Sequence, residues 1–121
     1  MSLKALVADD SGTMRKIIIR ALNVAGIEDV VEASDGAQAV KLFEPGSFDV
    51  VLTDWNMPEK SGLAVVSEIR AMDPDVRIIM VTTEAERSRV LQAIQEGASD
   101  YLIKPFTSEA LREKLAKHVC A

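Results

Sequence analysis

Asp9 and Asp10 follow the apolar run Ala5-Leu6-Val7-Ala8, Asp54 follows Val50-Val51-Leu52-Thr53, and Lys104-Pro105 follows Tyr101-Leu102-Ile103. A single carboxylate in such a place can be a helix cap. Three carboxylates and a lysine, at the ends of three runs, describe a site. If the runs are parallel strands of one sheet, their ends meet along the edge where open α/β folds bind ligands. Clustered carboxylates repel one another unless a cation joins them. A hard divalent ion suits that need, and magnesium keeps several waters while taking one or two carboxylates. Asp10 and Asp54 are therefore the expected direct ligands of Mg2+. Asp9 would hold a metal-bound water or place the other ligands, and the backbone carbonyl of Asn56 would complete the set. Lys104 offers a compact ammonium suited to a phosphoryl oxygen. Thr82, closing Ile78-Ile79-Met80-Val81, adds a hydroxyl at the same edge. A carboxylate nucleophile, a metal, a lysine and a hydroxyl are equipment for making and breaking an aspartyl phosphate.

Positioning these groups falls to five short β-branched runs that alternate with segments of helical period. The strands predicted are Lys4–Ala8, Asp29–Ala33, Asp49–Thr53, Arg77–Thr82 and Asp100–Ile103. Met14, Ile17, Ile18, Ala21, Leu22 and Ala25 repeat at helical spacing and stop at Gly26 as a C-cap. A second helix follows Asp35-Gly36 and stops before Pro45-Gly46. A third carries Leu63, Val66 and Ile69, with Ser61 as N-cap and Pro74 just beyond. The last two are predicted over Arg87–Gln95, ended by Gly97, and over Ser108–His118. The pattern predicts an α/β fold, a (βα)5 doubly wound parallel sheet of flavodoxin-like type with strand order 2-1-3-4-5. Lys104-Pro105 is a candidate cis bond in a tight loop. Trp55 is expected as a partly exposed loop aromatic, and His118 as a solitary helix-end residue facing the dipole. On spacing alone Tyr101 is a half-buried ring with its hydroxyl in water.

A chain of 121 residues suits one domain over residues 1–121. Its net charge of −5 argues against a sequence-independent grip on nucleic acid or anionic lipid. No apolar run approaches the roughly 20 residues of a membrane span, and no signal-peptide pattern opens the chain. The single cysteine, Cys120, has no partner for a disulfide and is expected as an exposed thiol, so a cytoplasmic location is expected.

Four stretches carry a family resemblance: Asp9-Asp10-Ser11-Gly12-Thr13-Met14-Arg15, Asp54-Trp55-Asn56-Met57-Pro58, Met80-Val81-Thr82-Thr83-Glu84-Ala85 and Lys104-Pro105-Phe106-Thr107. They resemble the receiver domains of bacterial two-component systems, and most closely the single-domain chemotaxis response regulators. The resemblance covers essentially the whole chain. It implies that Asp54 accepts a phosphoryl group from the phosphohistidine of a sensor histidine kinase or phosphotransfer domain, with Mg2+ held by Asp10, Asp54 and the Asn56 carbonyl. It also implies that Thr82 and Lys104 contact that group, with the backbone N–H groups of Trp55, Asn56 and Thr83 as further donors. Thr82 and Tyr101 would form the switch that couples the site to the face of the fourth helix, fifth strand and fifth helix, with Arg87, Tyr101 and Lys117 as surface reporters. Asn56 and Glu84 match the chemotaxis proteins at positions that tune hydrolysis, which implies a phosphorylated state lasting seconds to minutes. Implied partners are a kinase, a downstream target such as the flagellar motor switch, and a phosphatase. Two departures stand out: Lys60-Ser61-Gly62 where receivers commonly read Met-Asp-Gly, and Thr83 where the chemotaxis pattern favours alanine.

The expected product of such a protein is a conformation, so it is a signalling module that assists its own phosphorylation and dephosphorylation and not an enzyme in the ordinary sense. A phosphohydrolase with an aspartyl-phosphate intermediate would need an acid two residues after the first. Ser11 and Gly12 stand at that spacing from Asp9 and Asp10. A flavin-binding domain would need a phosphate loop after the first strand, not two carboxylates. The remaining alternative is a receiver piece of a longer DNA-binding regulator. The chain ends soon after the fifth helix without a linker, which favours a stand-alone protein.

Overall fold

The alternating runs become five β/α units in the computed structural model, which describes residues 2–119. In chain order these are β1 (Lys4–Ala8), α1 (Gly12–Val24), β2 (Asp29–Ala33), α2 (Gly36–Leu42), β3 (Val50–Thr53), α3 (Gly62–Met72), β4 (Arg77–Thr82), α4 (Arg87–Glu96), β5 (Asp100–Ile103) and α5 (Ser108–His118). The strands are all parallel and lie in the order β2-β1-β3-β4-β5. This is the expected flavodoxin-like arrangement. Ala8 of β1 pairs with Thr53 of β3, so the residues that follow them, Asp9 and Asp54, emerge side by side. Thr82 pairs with Ile103, which brings Lys104 to the same edge.

Strand alternation divides the core into two layers. Leu6, Val51, Ile78 and Met80 face Phe43, Val65, Val66, Ile69 and Ala93 of the α2–α4 side. Val7, Leu52, Ile79 and Val81 face Ile18 and Leu22 of α1 and Leu111 and Leu115 of α5. Each buried Leu, Ile or Val side chain contributes roughly 1.5–3 kcal/mol. Ser11, Asp35, Ser61 and Thr107 cap α1, α2, α3 and α5 by accepting the N–H groups of Met14, Gln38, Ala64 and Ala110. The N-cap of α4, Glu86, makes no side-chain cap bond.

Differences from the sequence reading are small at the element ends. β3 starts at Val50, one residue later than read, and the carboxylate of Asp49 accepts the Lys4 N–H at 2.8 Å. The C-cap of α1 falls on Ala25, with Gly26 just after it at φ 94°. Cys120 lies outside the described residues.

His118 is not solitary, which corrects the sequence expectation. Its Nε2 lies 2.9 Å from Oδ2 of Asp100, whose Oδ1 accepts from Lys114 Nζ at 3.0 Å. Helix periodicity could not show this, because the partner comes from β5. Burial pushes the Asp100 carboxyl up, but the bonds from His118, Lys114 and the Tyr101 N–H outweigh it and hold it below the usual carboxylate range. A depressed carboxyl stabilises the fold above its unfolded pKa, and that contribution is lost as pH falls through the folded value. Asp100→Asn is therefore expected to lower stability at pH 7 by roughly 1–2 kcal/mol through weakened charge-assisted bonds. Thermal melts of wild type and variant should converge as the pH falls below about 4. A gap that stays constant to pH 3 would remove the charge from the explanation.

Candidate functional site

Asp9, at the end of β1, is 1% exposed. Its Oδ1 accepts the Ser11 N–H at 2.9 Å and its Oδ2 accepts Lys104 Nζ at 2.8 Å. Arg15 Nη1 donates to its backbone carbonyl at 2.7 Å, pinning the start of α1 to the strand end. Asp54 follows β3, with Oδ1 accepting the Trp55 N–H at 2.6 Å and Oδ2 accepting Lys104 Nζ at 2.9 Å. Lys104 thus joins two carboxylates from different strands. Burial alone would lower the ammonium pKa, but the bonds to Asp9 and Asp54 outweigh it and raise the value. The Lys104-Pro105 bond is cis, as anticipated.

Asp10 is exposed and completes the acid cluster. Asp9, Asp10 and Asp54 each present a carboxylate oxygen, all within 4.8 Å of one another. An opening of about 400 Å³ adjoins them, lined by Asp10, Trp55, Asn56, Met57, Pro58 and Ser61. An all-oxygen acidic donor set beside an open cleft fits a hard divalent cation, so these residues could hold a metal.

A second group of contacts lies on the β4 side. Thr82 is fully buried, and its Oγ1 accepts the Glu84 N–H at 3.3 Å. Glu84 accepts the Tyr101 hydroxyl on its carbonyl at 2.6 Å and the Asn56 amide on Oε2 at 3.3 Å. Thr83, between them, is exposed. Tyr101 is 8% exposed, which corrects the reading from spacing alone: the ring is inside and the hydroxyl meets protein. Burial, then the charges of Glu84 and Asp54, push its hydroxyl up to about 12. Arg87 and Lys117 lie exposed, whereas Tyr101 is buried.

Trp55 also departs from expectation. It is 5% exposed, not partly open, because the loop folds back on α3 through a 2.7 Å bond from the Gly62 N–H to the Trp55 carbonyl. The Arg89 guanidinium of α4 lies 5.3 Å from the centroid of its ring. Nothing in the sequence distinguished Arg89, one of several charged residues on α4. Its neighbourhood exists only once α4 packs beside the β3–α3 loop.

Parallel strands in this order, with acids in place of a phosphate-binding loop after β1, put the chain among flavodoxin-like α/β domains of an acidic-cleft kind. It belongs to the response regulator receiver domain family, whose model matches residues 5–116. The chain is 46% identical over 116 residues to the chemotaxis protein CheY1 of Helicobacter pylori, covering 93% of this chain and 94% of that one. It is 40% identical over 119 residues to the chemotaxis protein CheY-3 of Vibrio cholerae, covering 96% and 91%. Among solved structures, the chemotaxis response regulator CheY4 of Vibrio cholerae superposes with a TM-score of 0.89 at 31% identity, over 98% of this chain and 100% of that one.

Proposed function

We propose that this chain is a stand-alone receiver that accepts a phosphoryl group on Asp54 from a sensor histidine kinase or phosphotransfer domain and then presents the face of α4, β5 and α5 to a downstream partner. One observation carries the reading: of the three clustered acids, Asp54 alone is both partly open to solvent and bonded to Lys104. Asp9 is sealed at 1% exposure, and Asp10 stands outside the lysine's bonds. An oxygen of Asp54 attacks phosphorus, the phosphorus–nitrogen bond to the donor imidazole breaks, and the leaving nitrogen takes up a proton. The Lys104 ammonium, already on Asp54 Oδ2, follows the charge onto a phosphoryl oxygen. The N–H groups of Trp55, Asn56 and Thr83 are further donors. Asp10, Asp54 and the Asn56 carbonyl would hold Mg2+, with Asp9 placing a water, and the bound ion supplies charge neutralisation of the phosphoryl oxygens.

The Thr82 hydroxyl is the link outward. If it turns to the phosphoryl group, the bond it accepts from the Glu84 N–H is lost, and the carbonyl of that same residue holds the Tyr101 hydroxyl. A few kcal/mol suffice to make a minor arrangement of such a network dominant. Asn56 and Glu84, bonded to each other beside the cleft, tune hydrolysis. The module thus assists its own phosphorylation and dephosphorylation, and its product is a conformation. The relatives are named as chemotaxis proteins, which favours that pathway; the flagellar motor switch as target and a phosphatase that ends the signal follow only from the receiver resemblance. No helix among the described residues is long and apolar enough to cross a membrane.

Incubation with acetyl phosphate and Mg2+ is expected to add one phosphoryl group per chain, labile to hydroxylamine as an acyl phosphate is. Asp54→Asn should abolish it. Labelling of that variant at the wild-type rate, or no labelling of the wild type, would overturn the assignment.

A further inference from the structure

We propose that Arg89 is a positioning residue for the phosphoryl chemistry: it holds Glu84 and Trp55 across the side of the cleft and so sets how long the acyl phosphate survives. This inference rests on Asp54 being the phosphoacceptor. Arg89 stands near the start of α4, and its two contacts lead back to Asp54 by separate routes. Its guanidinium lies over the Trp55 ring at 5.3 Å, and the Trp55 N–H donates to Asp54 Oδ1 at 2.6 Å. Its Nε is 3.9 Å from Glu84 Oε1, while Glu84 Oε2 accepts the side-chain amide of Asn56 at 3.3 Å. Asn56 and Trp55 both line the opening beside Asp10. Asn56 and Glu84 therefore form a bridge from the β3–α3 loop to the β4–α4 loop, fixed at its far end by a cation that also rests on the neighbouring indole.

Charge explains why that cation matters. Glu84 is an anion near a group that gains negative charge when Asp54 is phosphorylated. Without Arg89 the Glu84 carboxylate is uncompensated, is repelled by the phosphoryl oxygens and leaves the Asn56 amide. Hydrolysis needs a water to attack phosphorus as the bond to the Asp54 oxygen breaks, with inorganic phosphate leaving and taking the water's proton. An open bridge admits that water. A planar guanidinium can stack on the indole and keep its edge toward the carboxylate, whereas an ammonium of similar reach does one or the other.

The test labels wild type, Arg89→Ala, Arg89→Lys, Glu84→Gln and the Glu84→Gln/Arg89→Ala double variant with acetyl phosphate and Mg2+. The donor is then removed and the hydroxylamine-labile phosphate followed. Arg89→Ala is expected to speed the loss roughly three- to tenfold, the scale of one weak ion pair plus one cation–π contact. Arg89→Lys should fall between, and Trp55, the chain's one tryptophan, should change its emission in Arg89→Ala before any phosphate is added. In the Glu84→Gln background the added Arg89→Ala change should alter the lifetime clearly less than it does in the wild type, since the partner charge is already gone and only the Trp55 contact remains to be lost. Arg89 side-chain exposure is 47%, so the variant is expected to fold normally, and an unchanged melt verifies this. Full labelling of Arg89→Ala with an unchanged or longer lifetime overturns this inference alone, as does an undiminished effect in Glu84→Gln. A wild type that takes no label overturns the phosphoacceptor reading and this one with it.

Discussion

Lys104→Ala is expected to destabilise the metal-free protein by about 3–5 kcal/mol, the usual penalty for removing one partner of a buried ion pair. Lys104 and Asp54 side chains are only 11% and 13% exposed, and Asp9 is sealed at 1%. Taking the ammonium away leaves three carboxylates with oxygens within 4.8 Å of one another and no cation between them. In melts without divalent ions the variant should lose roughly 10–20 °C. Adding Mg2+ should recover much of that loss, because an ion that binds only the folded state stabilises it by mass action. The same ion should raise the wild type less, since there it joins a site whose repulsion Lys104 already relieves. Mg2+ affinity in the variant should equal or exceed that of the wild type, while phosphorylation no longer shifts the amide NMR signals of residues 90–97. Equal melting of the two proteins without metal would remove Lys104 from the role of internal counter-ion. Full switching in the variant would remove it from the signalling path.

The members of this site were legible in the sequence, but their partnerships were not. Asp9, Asp10, Asp54 and Lys104 were found because strand-end positions can be read from local apolar runs and α/β topology gathers them. That Lys104 itself is the cation between Asp9 and Asp54 depends on residues 95 and 50 positions away, which no local pattern encodes. The helix α5 (Ser108–His118) was read to its ends, since its Leu111 and Leu115 stripe is a local signal. Trp55 and His118, and Tyr101 on spacing alone, were misplaced for the opposite reason. Each sits in a loop, an outer strand or a last helical turn, where burial is decided by whichever element packs against it. Arg89 shows the same limit from the other side, a solvated-looking residue that gains a role only through Trp55 and Glu84.

Gly62→Ala is expected to be the most damaging single-methyl change near the site, although local propensity points the other way. Gly62 is the first residue of α3, and alanine in a helix is favoured over glycine by roughly 0.5–1 kcal/mol. Yet a Cβ there would lie 1.8 Å from the Asp54 carbonyl oxygen, 2.7 Å from its carbon and 2.8 Å from the Trp55 Cα. All three are backbone atoms at the end of a buried strand, so no side chain can rotate away. The Gly62 N–H also donates to the Trp55 carbonyl at 2.7 Å, a bond that needs this close approach. Relief requires moving the start of α3 away from the end of β3, and the segment that moves carries Asp54, Trp55 and Asn56. A loss of about 4 kcal/mol or more is the expected scale for such a clash, with Mg2+ binding and phosphorylation failing in the fraction that still folds. Gly12→Ala is the matching control, because Gly12 also opens a helix but its nearest neighbour is the flexible end of Arg15 at 3.5 Å. That variant should match the wild type or gain up to about 1 kcal/mol. Urea melts of the two variants separate propensity from contact: the methyl that suits α1 should break the seam between β3 and α3. If Gly62→Ala melts with the wild type and still takes up phosphate, that seam can open without disturbing Asp54, and the close approach is not what holds the phosphoacceptor in place.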